Sequence, residues 1–327
     1  MPLLSLLALL FLPSFGAAQQ PSTAAVTVPV DPYQAAVEKL KNPDPQLRRQ
    51  AIEELAAGRD PRAVARLTTA LEDPHVFVRA AAVDNLGLLR APVAANLIEL
   101  LKPEKEKEAA VRRSAATALA YLADPMSADS LISALKDSDL GVRYSAVRAL
   151  GVLRVPQSTE ALAGFLHDPE VGMRRTVIAA LGQIRDPASV GVFLGALQDG
   201  DVYVRLEAVK VLGVMAGAAA AAGLRSALSD RDISVGLQAA LALASQGSSE
   251  GMAVALEAVK QDKSIVFRRQ AATLLGAVGD ASVAAAMSAA LKAEKDPATR
   301  ALLEAAGKQI KSRLAVKPAA PSRRRKP

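Results

Sequence analysis

Three short motifs in this chain carry residue types that perform chemistry in other settings. Gly247-Ser248-Ser249-Glu250-Gly251 has the G-x-S-x-G spacing in which a strained strand-to-helix turn presents a nucleophilic serine. No strand pattern precedes it here, and the two histidines, His75 and His167, fall in other turns far along the chain. A Ser- and Gly-rich turn is what remains. Ser133-Ala134-Leu135-Lys136 has S-x-x-K spacing, but its companion motifs are missing and Leu135 belongs to an apolar stripe. His75 and His167 form no His-x-x-x-His or His-Glu cluster, so the spacing gives no metal site, and the chain contains no cysteine. Thiol catalysis, disulfides and zinc-thiolate centres are therefore excluded. The expectation is a protein without a catalytic residue, metal or cofactor.

Electrostatic chemistry is the next candidate, because the formal charge is +7. Its location changes its meaning. From Lys308 onward stand Lys308, Lys311, Arg313, Lys317, Arg323, Arg324, Arg325 and Lys326 without one acid, leaving the preceding residues near neutrality. Binding phosphate needs clustered Lys and Arg on a folded face, so specific nucleic-acid recognition by the body is not expected. The basic tail, residues 315–327, offers a polyanion contact. The run Lys102 to Glu108 (KPEKEKE) mixes both signs and reads as a longer exposed turn or a helix start.

At the other end, Leu3 to Leu12 is an apolar run, followed by Pro13 and the small residues Gly16-Ala17-Ala18. That is the layout of a secretory signal cleaved after Ala18, although no Lys or Arg precedes the apolar run. Ten apolar residues are too few to span a bilayer. The expected consequence is export to a periplasmic or secreted location, with no transmembrane anchor after cleavage. Residues 19–33, rich in Pro, Ser, Thr and Val, read as a flexible linker.

What must position any surface is the repeat that fills residues 34–314. A Val-Arg column recurs at Arg48, Arg79, Arg112, Arg143, Arg174, Arg205, Gly236, Arg268 and Arg300, every 31 to 33 residues. Six residues earlier stands Asn42, Asp73, Glu106, Asp137, Asp168, Asp199, Asp230, Asp262 or Glu294. Apolar columns at offsets −1, +3 and +7 from the Arg are four apart and so lie on one stripe of a helix. At offset +8 the residue is always tiny: Ala56, Gly87, Ala120, Gly151, Gly182, Gly213, Ala244 or Gly276. Glycine inside a helix costs about 1 kcal/mol relative to Ala, which is tolerated where another helix passes too close for a side chain. At offset +13, Pro61, Pro92, Pro125, Pro156 and Pro187 mark the start of a second helix. An apolar fraction of 51% with only 3% aromatic residues suits many closely packed helices better than a β-sandwich. Such a unit buries its apolar face by stacking on its neighbours.

The Asp…Val-Arg, Ala, Leu-Gly, Pro signature resembles the HEAT-repeat family, and more closely the short repeats, near 31 residues, of phycobilin lyase subunits. The resemblance implies an all-α, right-handed α-solenoid of about eight two-helix repeats. In that family the Asp and Arg columns form a hydrogen-bonded ladder between adjacent repeats. Carried over by position, it implies Asp73 with Arg79, Asp137 with Arg143, Asp168 with Arg174, Asp199 with Arg205 and Asp262 with Arg268. Glu106 with Arg112 keeps the charges. Gly236 loses its Arg, which makes the seventh repeat an expected weak joint. HEAT-like deoxyhypusine hydroxylases hold iron through paired His-Glu motifs, and this sequence has none.

The resemblance also implies that the second helices line the concave side. Their exposed positions include Arg62, Arg66, Thr69, Asp129, Ser130, Ser133, Glu160 and Ser226, mostly small and weakly charged and without aromatics. The expected role is a non-enzymatic, extracytoplasmic scaffold or adaptor that binds another protein. The alternative is a lyase-like or chaperone-like accessory factor of the short-HEAT type.

Overall fold

The structure, a computed structural model, describes residues 31–261 and 263–315. The signal, most of the linker, Asp262 and nearly all of the basic tail lie outside the described residues. Every described element is helical. In chain order they are α1 (Pro32–Lys39), α2 (Pro45–Ala57), α3 (Ala63–Thr69), α4 (Val76–Leu88), α5 (Ala94–Leu100) and α6 (Ala109–Leu122). Next come α7 (Ala128–Ala134), α8 (Leu140–Leu153), α9 (Thr159–Ala163), α10 (Val171–Ile184), α11 (Val190–Ala196) and α12 (Val202–Val214). The chain closes with α13 (Ala218–Ala227), α14 (Ile233–Ser245), α15 (Met252–Gln261), α16 (Ile265–Val278), α17 (Ala281–Ala293) and α18 (Pro297–Ala315). The even-numbered helices carry the Arg column. Each is preceded by a shorter odd-numbered partner, so the molecule is an α-solenoid of short-then-long helix pairs.

Local chemistry sets these boundaries. Asp44, Asp139, Asp201 and Asp232 each cap a long helix by accepting a main-chain N–H from its first turn. Past the ends of α2, α4, α6, α8 and α10 the chain turns through a left-handed residue. Pro125, Pro156 and Pro187 then start a single 3-10 turn, and the α-helix begins only after it. The tightening has a visible partner: Ser127, Ser158 and Ser189 are buried, and each hydroxyl donates to the carbonyl three residues back. The N-terminal boundary also moves. Asp31 accepts the Tyr33 N–H at 3.1 Å and Pro32 opens α1, so residues 32 and 33 belong to the solenoid and not to the linker.

The small-residue column explains the stacking. A Cβ built on Gly87 would lie 2.7 Å from the Cβ of Ala118, and one on Gly151 would lie 2.9 Å from that of Ala180. The close neighbour is thus the long helix of the next repeat. Long helices pack on long helices along the array, while successive short helices touch much less. The long helices thus form the more tightly packed layer through most of the stack. The core, built of residues such as Ile52, Leu86, Leu119, Leu150 and Ile178, divides into two clusters that meet on α14.

Candidate functional site

The Arg column forms a ladder, but its rungs join different residues from those carried over by position. Arg112 Nε and Nη2 donate to the two carboxylate oxygens of Asp137 at 2.7 and 2.9 Å, one repeat downstream. Its remaining nitrogen, Nη1, donates to the carbonyls of Glu106 and Lys107 at 2.9 Å, in its own repeat. The same fork joins Arg48 to Asp73, Arg79 to Glu106, Arg174 to Asp199, Arg205 to Asp230 and Arg268 to Glu294. Asp73, Glu106, Asp137, Asp199 and Glu294 each serve their own repeat through the main-chain carbonyl and the preceding repeat through the carboxylate. Asp73 with Arg79, Asp199 with Arg205 and Asp168 with Arg174 meet only in the first way. Asp262 with Arg268 falls partly outside the described residues.

One rung fails although both of its residues match the column. Arg143 donates to the Asp137 and Ser138 carbonyls but reaches no carboxylate, and the Asp168 carboxylate accepts only the Glu170 N–H. The break coincides with the shortest α-helix, α9, which passes into a 3-10 turn at Gly164. The closed rungs are structural: burial pushes Asp137 up, but the bond from Arg112, the Asp139 N–H and the Arg112 charge outweigh it and hold the carboxyl below its usual range.

The expected binding positions of the short helices are dispersed. Arg62, Arg66 and Thr69 are exposed on or just before α3, but Arg62 is engaged, paired with Asp60 and lying 4.0 Å over the Tyr33 ring. Asp129, Ser130 and Ser133 share a shallow groove of about 380 Å³ with Lys102 and Lys136. Ser133 Oγ donates to the Asp129 carbonyl at 2.9 Å and has no lysine partner. Glu160 is exposed on α9 and Ser226 on α13, on separate repeats. The structure brings together only the α7 trio.

The aromatic and large aliphatic side chains that reach solvent are on the long helices instead. Phe77, Tyr203 and Val266 open three of them, and Leu88, Tyr121, Val152 and Val214 stand at their far ends, between 48 and 71% exposed. A groove of about 480 Å³ between α2 and α4 is lined by Arg49, Glu53, Phe77 and Asp84. Arg175 lies 4.3 Å over the Tyr203 ring while binding Asp201, whose carboxyl is drawn down to about 2, chiefly by that bond. Tyr144 leans on Gly172 of the next repeat. The long-helix layer is therefore ribbed with rings and cations. The sequence carries a signal for it, because these residues recur at offsets −2 and +9 from the Arg column.

Among the described residues no group of His, Cys, Asp or Glu stands close enough to hold a metal ion. No described helix is long and apolar enough to cross a membrane. His75 caps α4, its Nδ1 accepting the Phe77 N–H, and Ser248 lies in an exposed turn against Glu250.

Solved structures share this architecture. The Escherichia coli protein YibA matches at 17% identity with a TM-score of 0.56, over 80% of this chain and 95% of that one. Kap95p, solved in a complex with RanGDP, matches at 15% identity and a TM-score of 0.61, over 86% of this chain and 47% of that one. The CpcE–CpcF phycocyanin lyase of Nostoc sp. PCC7120 matches at 23% identity and a TM-score of 0.43, over 72% and 97%. The likenesses to YibA and Kap95p show the fold alone. No curated protein matches the sequence. The profile described as HEAT repeats matches residues 33–110, 97–177, 163–235 and 221–307, nearly the whole described solenoid. The chain belongs to the HEAT-repeat family.

Proposed function

We propose that this protein is an extracytoplasmic, non-enzymatic scaffold that binds another protein along the exposed face of its long helices. The observation that carries the reading is the set of exposed rings and aliphatics on that face, with Phe77 57%, Tyr203 59% and Leu88 67% exposed, in a chain with only 3% aromatic residues. Aromatic side chains with nearby arginines are the groups that dominate protein interfaces, because they bury large area at little entropic cost. Kap95p, a solenoid of this fold, binds RanGDP, which is consistent with such an array holding a protein. Export rests on the apolar run Leu3 to Leu12 and the small residues at 16–18.

The test is a photo-crosslinking residue at Tyr203, and separately at Ser226 on a short helix, in the full chain expressed in its own host. One dominant protein adduct from the exported fraction at Tyr203, absent at Ser226, supports the reading. A chromophore attached to the protein, or equal adducts at both positions, overturns it.

A further inference from the structure

A second column of arginines runs along one edge of the solenoid. Arg59, Arg90, Arg154 and Arg185 all stand eleven residues after the ladder arginine, just past the ends of α2, α4, α8 and α10. Each is left-handed, with φ of 50, 50, 52 and 58°, and Ala123 takes the same conformation at 56° in the repeat between them. Left-handed backbone favours glycine or asparagine at a helix end, and arginine gains nothing from it. A cation does complement the negative end of a helix, but a lysine or arginine within the last turn would do so without strain. All four side chains are exposed, and none makes a hydrogen bond, ion pair or ring contact with a described residue.

Arg90 and Arg154 are followed by Ala91 and Val155, Asp60 beside Arg59 is paired with Arg62, and Asp186 beside Arg185 accepts the Ala188 N–H and bonds no arginine. Two residues before the left-handed position stand the exposed Leu88, Tyr121 and Val152. Leu88 with Arg90 and Val152 with Arg154 thus put an apolar and a cationic group side by side, and the repeat between them contributes Tyr121 alone.

We infer that this edge binds an extended acidic segment of a protein partner, each arginine taking one carboxylate. The inference deepens the protein-binding reading and rests on it. Packed helices are about 8–10 Å apart. An extended strand advances about 3.3 Å per residue, so acids recurring about every third residue would meet successive arginines. The apolar side chains beside the cations favour a peptide over a polyphosphate, which offers nothing for Leu88 or Val152 to cover. The chain's own basic tail carries the wrong sign to occupy the edge.

The probe is a labelled 20-residue peptide with Glu at every third position among Leu, Ser and Ala, titrated by anisotropy into the full chain at 150 mM salt. Glycine is the informative substitution, because it suits left-handed backbone and cannot unfold the turn. The variant Arg59→Gly/Arg90→Gly/Arg154→Gly/Arg185→Gly should bind the probe at least tenfold more weakly with an unchanged or raised Tm. A variant with Arg323, Arg324, Arg325 and Lys326 all changed to Ala should stay within twofold of the parent. The inference is overturned if the glycine variant also stays within twofold, or if the tail variant loses as much. It is equally overturned if a dT20 oligonucleotide binds the parent as tightly as the peptide and loses as much in the glycine variant. Because the crosslinking test at Tyr203 is independent of these arginines, the two readings fail separately.

Discussion

Arg112 of one repeat and Asp137 of the next share two parallel hydrogen bonds of 2.7 and 2.9 Å, with side chains only 5 and 1% exposed. Both groups are fully satisfied, since Arg112 also binds two carbonyls and Asp137 accepts the Asp139 N–H. Removing one partner strands a buried charge, which costs about 3–5 kcal/mol, whereas replacing both by apolar groups of similar size costs far less. Asp137→Ala is therefore expected to destabilise by about that amount. The double variant Arg112→Met/Asp137→Leu should recover most of the loss in urea unfolding followed by circular dichroism. Equal losses in the two would show that the rung contributes by net attraction, not by satisfying its members.

The ladder also fixes how stability responds to acid. Asp73, Glu106, Asp137, Asp199 and Glu294 are all held below their ordinary values, where burial opposes the arginine bonds and is outweighed by them together with main-chain N–H groups. Asp201 is drawn to about 2, mainly by the bond from Arg175. A depressed carboxyl contributes its stability fully above its unfolded pKa and loses it as pH falls through the folded one. Thermal midpoints should thus be flat from pH 7 to 5 and fall below pH 4. Asp201→Asn should be less stable at pH 7 and should show a shallower decline between pH 4 and 2. A decline that begins near pH 6 would contradict this assignment.

Gly87 and Ala118 show how tightly the long helices approach. A Cβ on Gly87 would meet both the Cβ and the Cα of Ala118 at under 3 Å. Alanine is the better helix former, by about 1 kcal/mol, so Gly87→Ala would stabilise an isolated helix. Here overpacking should win and destabilise by about 1–3 kcal/mol. Ala118→Gly in the same chain should restore part of the loss. The pair is measured as a double-mutant cycle in thermal or urea unfolding, and additivity between the two changes would refute the contact.

The repeat, its helical class and its family were legible because identical columns recur and each has a local cause: a cap, a stripe, a small residue or a proline. Relations between repeats were less legible. A column pairing Asp with Arg six residues later looks like a contact within one repeat, yet the carboxylate of Asp137 turns back to Arg112 of the repeat before. Sequence spacing could not choose between these directions, since both preserve the period. The tightness of the long-helix layer is hidden for a similar reason, because it is set by pairs such as Gly87 and Ala118 that only the fold brings together. The left-handed backbone at Arg59, Arg90, Arg154 and Arg185 has no marker in residue type, since arginine is not a residue that conformation favours.

The array should come apart first near Gly236. There the ladder has no arginine, and a Cβ on Gly236 would lie 3.1 Å from the Leu228 carbonyl oxygen and 3.3 Å from Val254, leaving little room for one. The two core clusters meet on this same helix, with Val235 and Ala239 in one and Leu237 and Ala240 in the other, and α14 packs only sparsely on α16. Solenoids behave as rows of units joined by nearest-neighbour interfaces, so a weak interface uncouples what lies beyond it. Hydrogen exchange should then divide the protein into two cooperative units, with α15 to α18 opening at lower free energy than α4 to α12. Trypsin should cut first at Lys260 or Lys263, leaving a protected fragment that contains the earlier repeats. Uniform protection from α4 to α18, or a first cut within α6 to α10, would show that α14 is no weaker a joint than its neighbours.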